Sequence, residues 1–114
     1  MPTTSVSTHV LDTAAGRPAE GIAVRLLARA APGTDWREAG TGTTDADGRC
    51  RDLTDPPEGT TAVRLDFAVE PYLAASGVSA FFPEVTVTFA VRPGEHYHVP
   101  LLLSPFGYSV YRGS

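Results

Sequence analysis

The stretch Val85-Thr86-Val87-Thr88-Phe89-Ala90-Val91-Arg92 alternates between large apolar side chains and polar or small ones. Its odd-numbered residues share one face, because successive residues of a β-strand point to opposite sides of a sheet. These residues are β-branched or aromatic, which favours a strand as well. The stretch therefore predicts a half-buried β-strand with one face in a hydrophobic core.

The same alternation recurs along the chain. Residues 21–29 place apolar side chains at every second position, and residues 62–69 repeat this pattern. Together with further candidate strands, this gives roughly seven or eight strands at regular spacing, which is typical of an antiparallel sandwich. The further candidates are residues 6–11, 36–44, 97–103 and 108–111.

Turn residues separate these strands. The chain contains 10 Pro and 11 Gly, scattered rather than periodic, and such residues supply backbone conformations that strand interiors do not tolerate. Asp47-Gly48 is interpreted as the tip of a hairpin. The one helix expected covers residues 70–76, where Pro71 suits a first turn. We expect residues 1–114 to form a single all-β domain.

Charge excludes two classes of partner. The 114 residues carry nine Arg and no Lys, against thirteen Asp and Glu, for a formal net charge of −4. Proteins that bind nucleic acids or acidic membranes carry clusters of Lys and Arg, so neither partner is expected. No stretch approaches the ~18 apolar residues of a membrane span, and no leader pattern is visible. These features predict a cytoplasmic protein.

Cys50 is the single cysteine, so it forms neither an internal disulfide nor a zinc site of several thiolates. Its neighbours Arg49 and Arg51 could lower the pKa of the thiol and make it reactive. A small buried strand residue is the favoured interpretation, because free cysteine packs as a small apolar side chain.

The histidines are the groups that titrate near neutrality without help. His96 and His98 lie two residues apart, so a strand places them on one face. Together with His9 they leave two interpretations open: hydrogen-bonded strand residues, or a metal set of three imidazoles. The second lacks a Cys or acidic residue at a clear ligand spacing, which makes the first the favoured one.

Other common sites are excluded by their motifs. Residues 43–54 have the acidic start of a calcium loop, but Thr54 stands where a bidentate Glu is needed. The chain has no Gly-Lys-Ser/Thr phosphate loop and no Gly-x-Ser-x-Gly nucleophile elbow. Neither nucleotide binding nor a serine hydrolase is therefore expected.

Several segments together carry a family resemblance. They are Ser7-Thr8-His9-Val10-Leu11-Asp12-Thr13, Gly16-Arg17-Pro18-Ala19, Asp47-Gly48-Arg49, Phe82-Pro83-Glu84-Val85, His96-Tyr97-His98-Val99-Pro100-Leu101-Leu102-Leu103-Ser104-Pro105 and Tyr111-Arg112-Gly113-Ser114. The chain resembles the 5-hydroxyisourate hydrolases, transthyretin-related proteins of purine degradation, from about residue 5 to residue 114. The last segment separates these enzymes from transthyretin proper, a hormone carrier.

The resemblance implies a transthyretin-like antiparallel β-sandwich of two four-stranded sheets with one short helix. It also implies a homotetramer with active sites at the interface between dimers, no cofactor and no metal. His96 takes a less critical histidine position. The implied catalytic residues are His9, Arg49 and His98, and the implied substrate-binding residues are Tyr111, Arg112, Gly113 and Ser114.

Three positions depart from the family pattern. Phe106 and Val110 stand where the family more often has Tyr and Thr, and Asp45 replaces an Asn. None belongs to the implied catalytic set, so activity is expected to survive these changes.

The implied reaction opens the ring of 5-hydroxyisourate with water to give 2-oxo-4-hydroxy-4-carboxy-5-ureidoimidazoline. It needs a base and stabilisation of developing negative charge. His9 and His98 can share the proton transfers, with the choice of base left open, and Arg49 can clamp a planar edge of acceptors. The alternatives are a transthyretin-like carrier of small ligands without catalysis and a structural sandwich domain.

Overall fold

The computed structural model describes residues 3–114, which form nine strands and one short helix. In chain order the elements are β1 (Ser5–Asp12), β2 (Arg17–Pro18), β3 (Ala23–Arg29), β4 (Arg37–Thr43), β5 (Arg49–Cys50), β6 (Ala62–Ala68), α1 (Glu70–Ala75), β7 (Val85–Ala90), β8 (His96–Ser104) and β9 (Gly107–Val110). Each predicted strand is present, and the helix ends one residue before its predicted end.

The strands form two sheets. The first sheet has the order β2-β1-β8-β9, with β5 paired to β1, and the second has the order β4-β3-β6-β7. The transthyretin-like sandwich of two sheets with one short helix is confirmed, but the first sheet has five strands rather than the four expected, because the two-residue β5 also pairs with β1. The pairs are antiparallel except that β1 and β8 run parallel, which the long connection between these two strands permits.

The core lies between the sheets and is built by the predicted alternation. The second sheet contributes Leu26, Leu65 and Phe67, all fully buried, while Val10 and Leu101 come from the first. Each such side chain contributes roughly 1.5–3 kcal/mol through burial. In β7 the inward residues Val87 and Phe89 are only partly buried, since β7 is the edge strand of its sheet.

Helix α1 links β6 to β7 within the second sheet. A proline stands in its first turn and its one buried residue is Leu73. The Tyr72 hydroxyl donates to the Asp12 carboxylate at 2.8 Å, which fixes the helix to the end of β1. No helix among residues 3–114 is long and apolar enough to cross a lipid bilayer.

The expectation of a hairpin at Asp47-Gly48 is wrong. The turn is present, with the Gly48 amide donating to the Asp45 carbonyl at 2.8 Å. However, β4 before it belongs to the second sheet and β5 after it to the first. The turn crosses between sheets because β5 finds its partner in β1, where the Val10 amide donates to the Gly48 carbonyl at 2.7 Å.

Candidate functional site

The outward face of the first sheet brings the predicted catalytic residues together. Strand β1 is paired with both β5 and β8, with His9 opposite Arg49 and Ser7 opposite His98. Paired strands lie about 4.8 Å apart, so directly opposite side chains on one face are neighbours. Arg49, His9 and His98 therefore share one polar face, although they are far apart in sequence.

His9 is half-buried, and its Nε2 lies 2.8 Å from the carbonyl oxygen of Asp47. A carbonyl only accepts, so Nε2 carries the proton and Nδ1 is unprotonated in the neutral ring. The turn that holds this carbonyl is itself fixed, because the Asp45 carboxylate accepts from the amides of Asp47 at 2.9 Å and Arg49 at 3.0 Å. The bond from the Arg49 amide is the main cause of a lowered pKa at Asp45.

His98 is also half-buried, and its Nδ1 lies 2.8 Å from the Ser7 hydroxyl. Burial lowers the pKa of this imidazole, and the positive charge of Arg49 lowers it further, with smaller contributions from His9 and His96. The ring is therefore neutral at neutral pH, which is the form that accepts a proton.

The Arg49 guanidinium is half-buried and available for a ligand. None of the ion pairs among residues 3–114 involves it. The neighbouring Arg51, in contrast, pairs with Asp45 and Asp47, each at 3.5 Å. A planar guanidinium without a carboxylate partner suits a flat ligand that offers two adjacent acceptors.

Residues 111–114, here called the tail segment, lie alongside β8. The Gly113 amide donates to the His98 carbonyl at 2.7 Å, and the two residues form a β-bridge that continues the β8–β9 register. A Cβ on Gly113 would lie 2.8 Å from Cδ2 of His98. The tail backbone therefore contacts the edge of the imidazole that carries Nε2.

The tail side chains do not all reach this face. The Arg112 guanidinium lies over the Tyr97 ring, 4.5 Å from its centroid, and 3.4 Å from the Glu95 carboxylate. Tyr97 is buried, on the side of β8 opposite His98. Tyr111 and Ser114 are exposed. Of the predicted substrate-binding residues, Gly113 lies against the ring of His98, and Arg112 lies over Tyr97.

Sequence reasoning missed two serines that contact the histidines. The Ser7 hydroxyl lies 3.1 Å from Nε2 of His96, as well as near His98, and the Ser5 hydroxyl lies 2.6 Å from Nδ1 of His96. Period-2 alternation along β1 places Ser5 and Ser7 on the face of His9, so this signal was present in the sequence.

The contacts of His96 and His98 are those of hydrogen-bonded strand residues. Among residues 3–114, no group of three or more His, Cys, Asp or Glu side chains is arranged to hold a metal ion. His96 and His98 are instead hydrogen-bonded to serines, as the first interpretation predicts.

Cys50 lies on β5 beside the site but is 1% exposed. Burial, aided by the Asp52 carboxylate that accepts from the thiol, raises its pKa to about 12. The prediction of a buried structural cysteine is confirmed, since nucleophilic chemistry requires the thiolate.

Comparisons with known proteins agree with this architecture. The sequence profile of the HIUase/Transthyretin family matches residues 6–113. The 5-hydroxyisourate hydrolase of Mus musculus is 44% identical over 113 residues, covering 96% of this chain and 94% of the relative.

Two solved structures are similar over nearly the whole chain. The 5-hydroxyisourate hydrolase of Klebsiella pneumoniae superposes with a TM-score of 0.81 at 32% identity, over 96% of this chain and 99% of the other. Transthyretin from Sparus aurata gives a TM-score of 0.83 at 28% identity, over 95% of each chain. The fold is thus shared by hydrolases and a transthyretin. The residues of the site, rather than the fold, therefore have to decide between the two functions.

Proposed function

The chain belongs to the HIUase/Transthyretin family, and from this premise we propose that it hydrolyses 5-hydroxyisourate in purine degradation. The observation that carries the proposal is the placement of His9, Arg49 and His98 on one outward face. A neutral base, a free guanidinium and a second imidazole are the groups that ring opening by water requires. Similarity to hydrolases of this name supports the same conclusion.

Arg49 binds and orients the substrate. 5-Hydroxyisourate is a fused heterocycle with acceptor atoms along its edges, and a guanidinium meets two adjacent acceptors with parallel hydrogen bonds. The Arg49 charge also stabilises the oxyanion that forms when water adds to the ring carbonyl. Its lack of a carboxylate partner among residues 3–114 leaves both roles open to it.

His98 is the general base. Its neutral ring takes a proton from water while the water oxygen forms a bond to the ring carbonyl carbon, giving a tetrahedral oxyanion. The oxyanion collapses, the carbon–nitrogen bond of the ring breaks, and the leaving nitrogen takes a proton. The His98 imidazolium returns to this nitrogen the proton that it took from water, which regenerates the neutral base. His9, whose Nε2–H is fixed on the Asp47 carbonyl, presents its unprotonated Nδ1 as a hydrogen-bond acceptor that orients the attacking water.

The tail segment closes the site beside His98. Gly113 holds the segment against the histidine through its amide, and the absence of a side chain allows the close approach. Tyr111 and Ser114, both exposed, line the substrate pocket. Arg112 keeps the segment in place through Tyr97 and Glu95 rather than by contacting substrate.

A homotetramer with sites between dimers completes the proposal. Strands β7 and β9 are sheet edges, and unpaired edges readily pair with a second copy. An exposed aromatic cluster lies near them: Phe82 packs edge-on against Tyr108 with centroids 5.3 Å apart, and Phe106 is 79% exposed. Sedimentation equilibrium across a concentration series measures the assembly.

The cytoplasmic location and the single-domain organisation stay predictions.

The activity is tested by producing 5-hydroxyisourate in situ from urate with urate oxidase and following its ultraviolet decay. The protein should accelerate the decay above the spontaneous rate, and His98→Asn and His9→Asn should each remove most of the acceleration. No acceleration by the wild-type protein would reject the hydrolase and favour the carrier, which a ligand-binding screen would then test.

A matched pair of arginine variants tests the site itself. Arg49→Gln removes the unpaired guanidinium, whereas Arg51→Gln removes the neighbouring one that is engaged by Asp45 and Asp47. The first should lose about a hundredfold or more in kcat/KM, the typical worth of an oriented charge stabiliser. The second should remain near wild type. Equal effects of the two variants would contradict the assignment of Arg49.

A further inference from the structure

Two serines and two histidines form a continuous chain of hydrogen bonds along the outward face of the first sheet. Ser5 Oγ lies 2.6 Å from His96 Nδ1, His96 Nε2 lies 3.1 Å from Ser7 Oγ, and Ser7 Oγ lies 2.8 Å from His98 Nδ1. The strand register explains this series of hydrogen bonds, because Ser5 pairs with His96 and Ser7 with His98 across the parallel strands β1 and β8.

Each member of this chain constrains the next. A neutral imidazole has one N–H and one acceptor nitrogen, and a serine hydroxyl donates a single proton. Ser7 has one proton to donate and two lone pairs that accept, so it donates to at most one of the two rings. The hydrogen bond between Ser7 and His98 can therefore run in either of two directions, and its direction sets the tautomer of His98.

The proposed function requires one of the two directions. We propose that Ser7 is a positioning residue that accepts from Nδ1–H of His98 and donates to Nε2 of His96, whose Nδ1–H is accepted by Ser5. This leaves Nε2 of His98 unprotonated on the edge of the ring that faces Gly113 of the tail segment. The inference rests on the proposed function, in which that nitrogen takes the proton from water.

The surroundings of His98 favour a neutral ring whose tautomer needs to be fixed. Arg49 on β5, His9 on β1 and His96 on β8 are the charged or titratable groups that act on it, and all of them oppose its protonation. Neutral imidazole populates two tautomers, of which only one presents a base at Nε2. Ser7 is the group at Nδ1 that selects it.

The variant Ser7→Ala removes the acceptor. The imidazolium form of His98 loses a charge-assisted hydrogen bond, so the acid limb of kcat/KM should move to lower pH. We expect kcat to fall about tenfold, which is the worth of one such hydrogen bond, with KM little changed. Ser7→Thr keeps the hydroxyl and should restore both the rate and the pH profile.

The opposite direction of the hydrogen bond between Ser7 and His98 predicts the opposite shift of the pH profile. If Ser7 donated to Nδ1, the bond would favour the neutral ring, and Ser7→Ala would move the acid limb to higher pH. A shift to higher pH, or wild-type kcat and profile in Ser7→Ala, would therefore overturn the inference. Thr41→Ala is the control, because Thr41 is an exposed hydroxyl on the second sheet.

A measurement independent of turnover separates this inference from the proposed function. Nitrogen-15 NMR of the full chain reports which imidazole nitrogen carries the proton, with His98 assigned by comparison with His98→Asn. Wild type should show His98 protonated at Nδ1, and Ser7→Ala should show a mixture of tautomers. A wild-type ring protonated at Nε2 would overturn the inference even if the chain hydrolyses 5-hydroxyisourate, and the spectrum tests it even if the chain does not.

Discussion

The backbone amide of Gly113 donates to the carbonyl oxygen of His98 at 2.7 Å, so the tail segment is attached to the residue that we propose as the base. The attachment depends on the absence of a side chain, since a Cβ on Gly113 would lie 2.8 Å from the imidazole Cδ2 and 3.3 Å from Pro100. Both neighbours are heavy atoms of rings that are held in place on β8. Gly113 thus couples the tail segment to the face that carries His9, Arg49 and His98.

Gly113→Ala should inactivate the protein without unfolding it. The added methyl group pushes the His98 ring or the tail away, and a displacement of about 1 Å in an active site can cost about a hundredfold in rate. Gly107→Ala is the matched control, because its Cβ would meet nothing closer than Ser104 Oγ at 3.8 Å. Steady-state kinetics and the thermal midpoint of both variants are measured. Equal activity of the two alanine variants would contradict this account.

Arg112 anchors the tail from the other side. Its exposed guanidinium stacks on the buried Tyr97 and pairs with Glu95, and the two interactions are worth together about 1–2 kcal/mol. Arg112→Ala should therefore lower kcat/KM roughly tenfold, because a smaller fraction of molecules holds the tail in place. Glu95→Gln should lose less, since only the exposed ion pair is weakened. A larger loss in Glu95→Gln than in Arg112→Ala would argue against stacking as the main anchor.

The sequence predicted the strands well and their distant pairings poorly. Residues 6–11 were expected to form a strand and lie within the observed Ser5–Asp12, because period-2 alternation is a local signal. The parallel pairing of β1 with β8 joins residues 91 positions apart, and no local pattern specifies it. The two-residue strands β2 and β5 were also missed, since two residues carry no periodicity.

The functional site likewise combines residues that the sequence predicted with contacts that it could not predict. His9, Arg49 and His98 came from motif resemblance, and the register then explains why they are neighbours. The hydrogen bond from His9 to the Asp47 carbonyl could not be predicted, because it depends on a turn that crosses between sheets. The position of Arg112 depends on Tyr97 and Glu95, which no spacing in the tail reveals.

The crossing turn depends on Gly48 for two reasons that can be separated. Gly48 has φ +77°, and a Cβ there would also collide with the Val10 carbonyl. Gly59 has φ +89° but nothing within 4 Å of its Cβ position. Gly59→Ala should therefore cost about 1 kcal/mol of unfolding free energy from backbone strain alone, and Gly48→Ala about 2–4 kcal/mol.

Urea denaturation of both glycine variants measures the difference. A loss in Gly48→Ala no larger than in Gly59→Ala would show that the close approach to Val10 has no cost. Because Gly48 precedes Arg49, the surviving folded fraction of Gly48→Ala should also show reduced kcat/KM.

Cys50 should be inert although it lies between two arginines. Its pKa is raised to about 12, chiefly by burial, so the thiolate is scarce at neutral pH. Iodoacetamide should leave the native protein unmodified over hours at pH 7 and should label it rapidly in urea. Cys50→Ala should keep wild-type kcat/KM. Rapid alkylation of the native protein, or inactivation by it, would contradict the structural role.

The pH dependence follows from the surroundings of His98. Burial and the Arg49 charge lower its pKa in the folded protein, whereas the unfolded chain has the ordinary value of about 6.5. Between these two values the unfolded state binds more protons, so the free energy of unfolding rises with pH through this window and is constant above it. His98→Asn should flatten the rise, which urea denaturation from pH 5 to 8 measures.

Arg49→Gln removes a charge that opposes protonation, so it should raise the pKa of His98 in an NMR titration, while Arg51→Gln should leave it near the wild-type value. A fall in this pKa in Arg49→Gln would contradict the electrostatic coupling across β5, β1 and β8 on which the assignment of His98 as base depends.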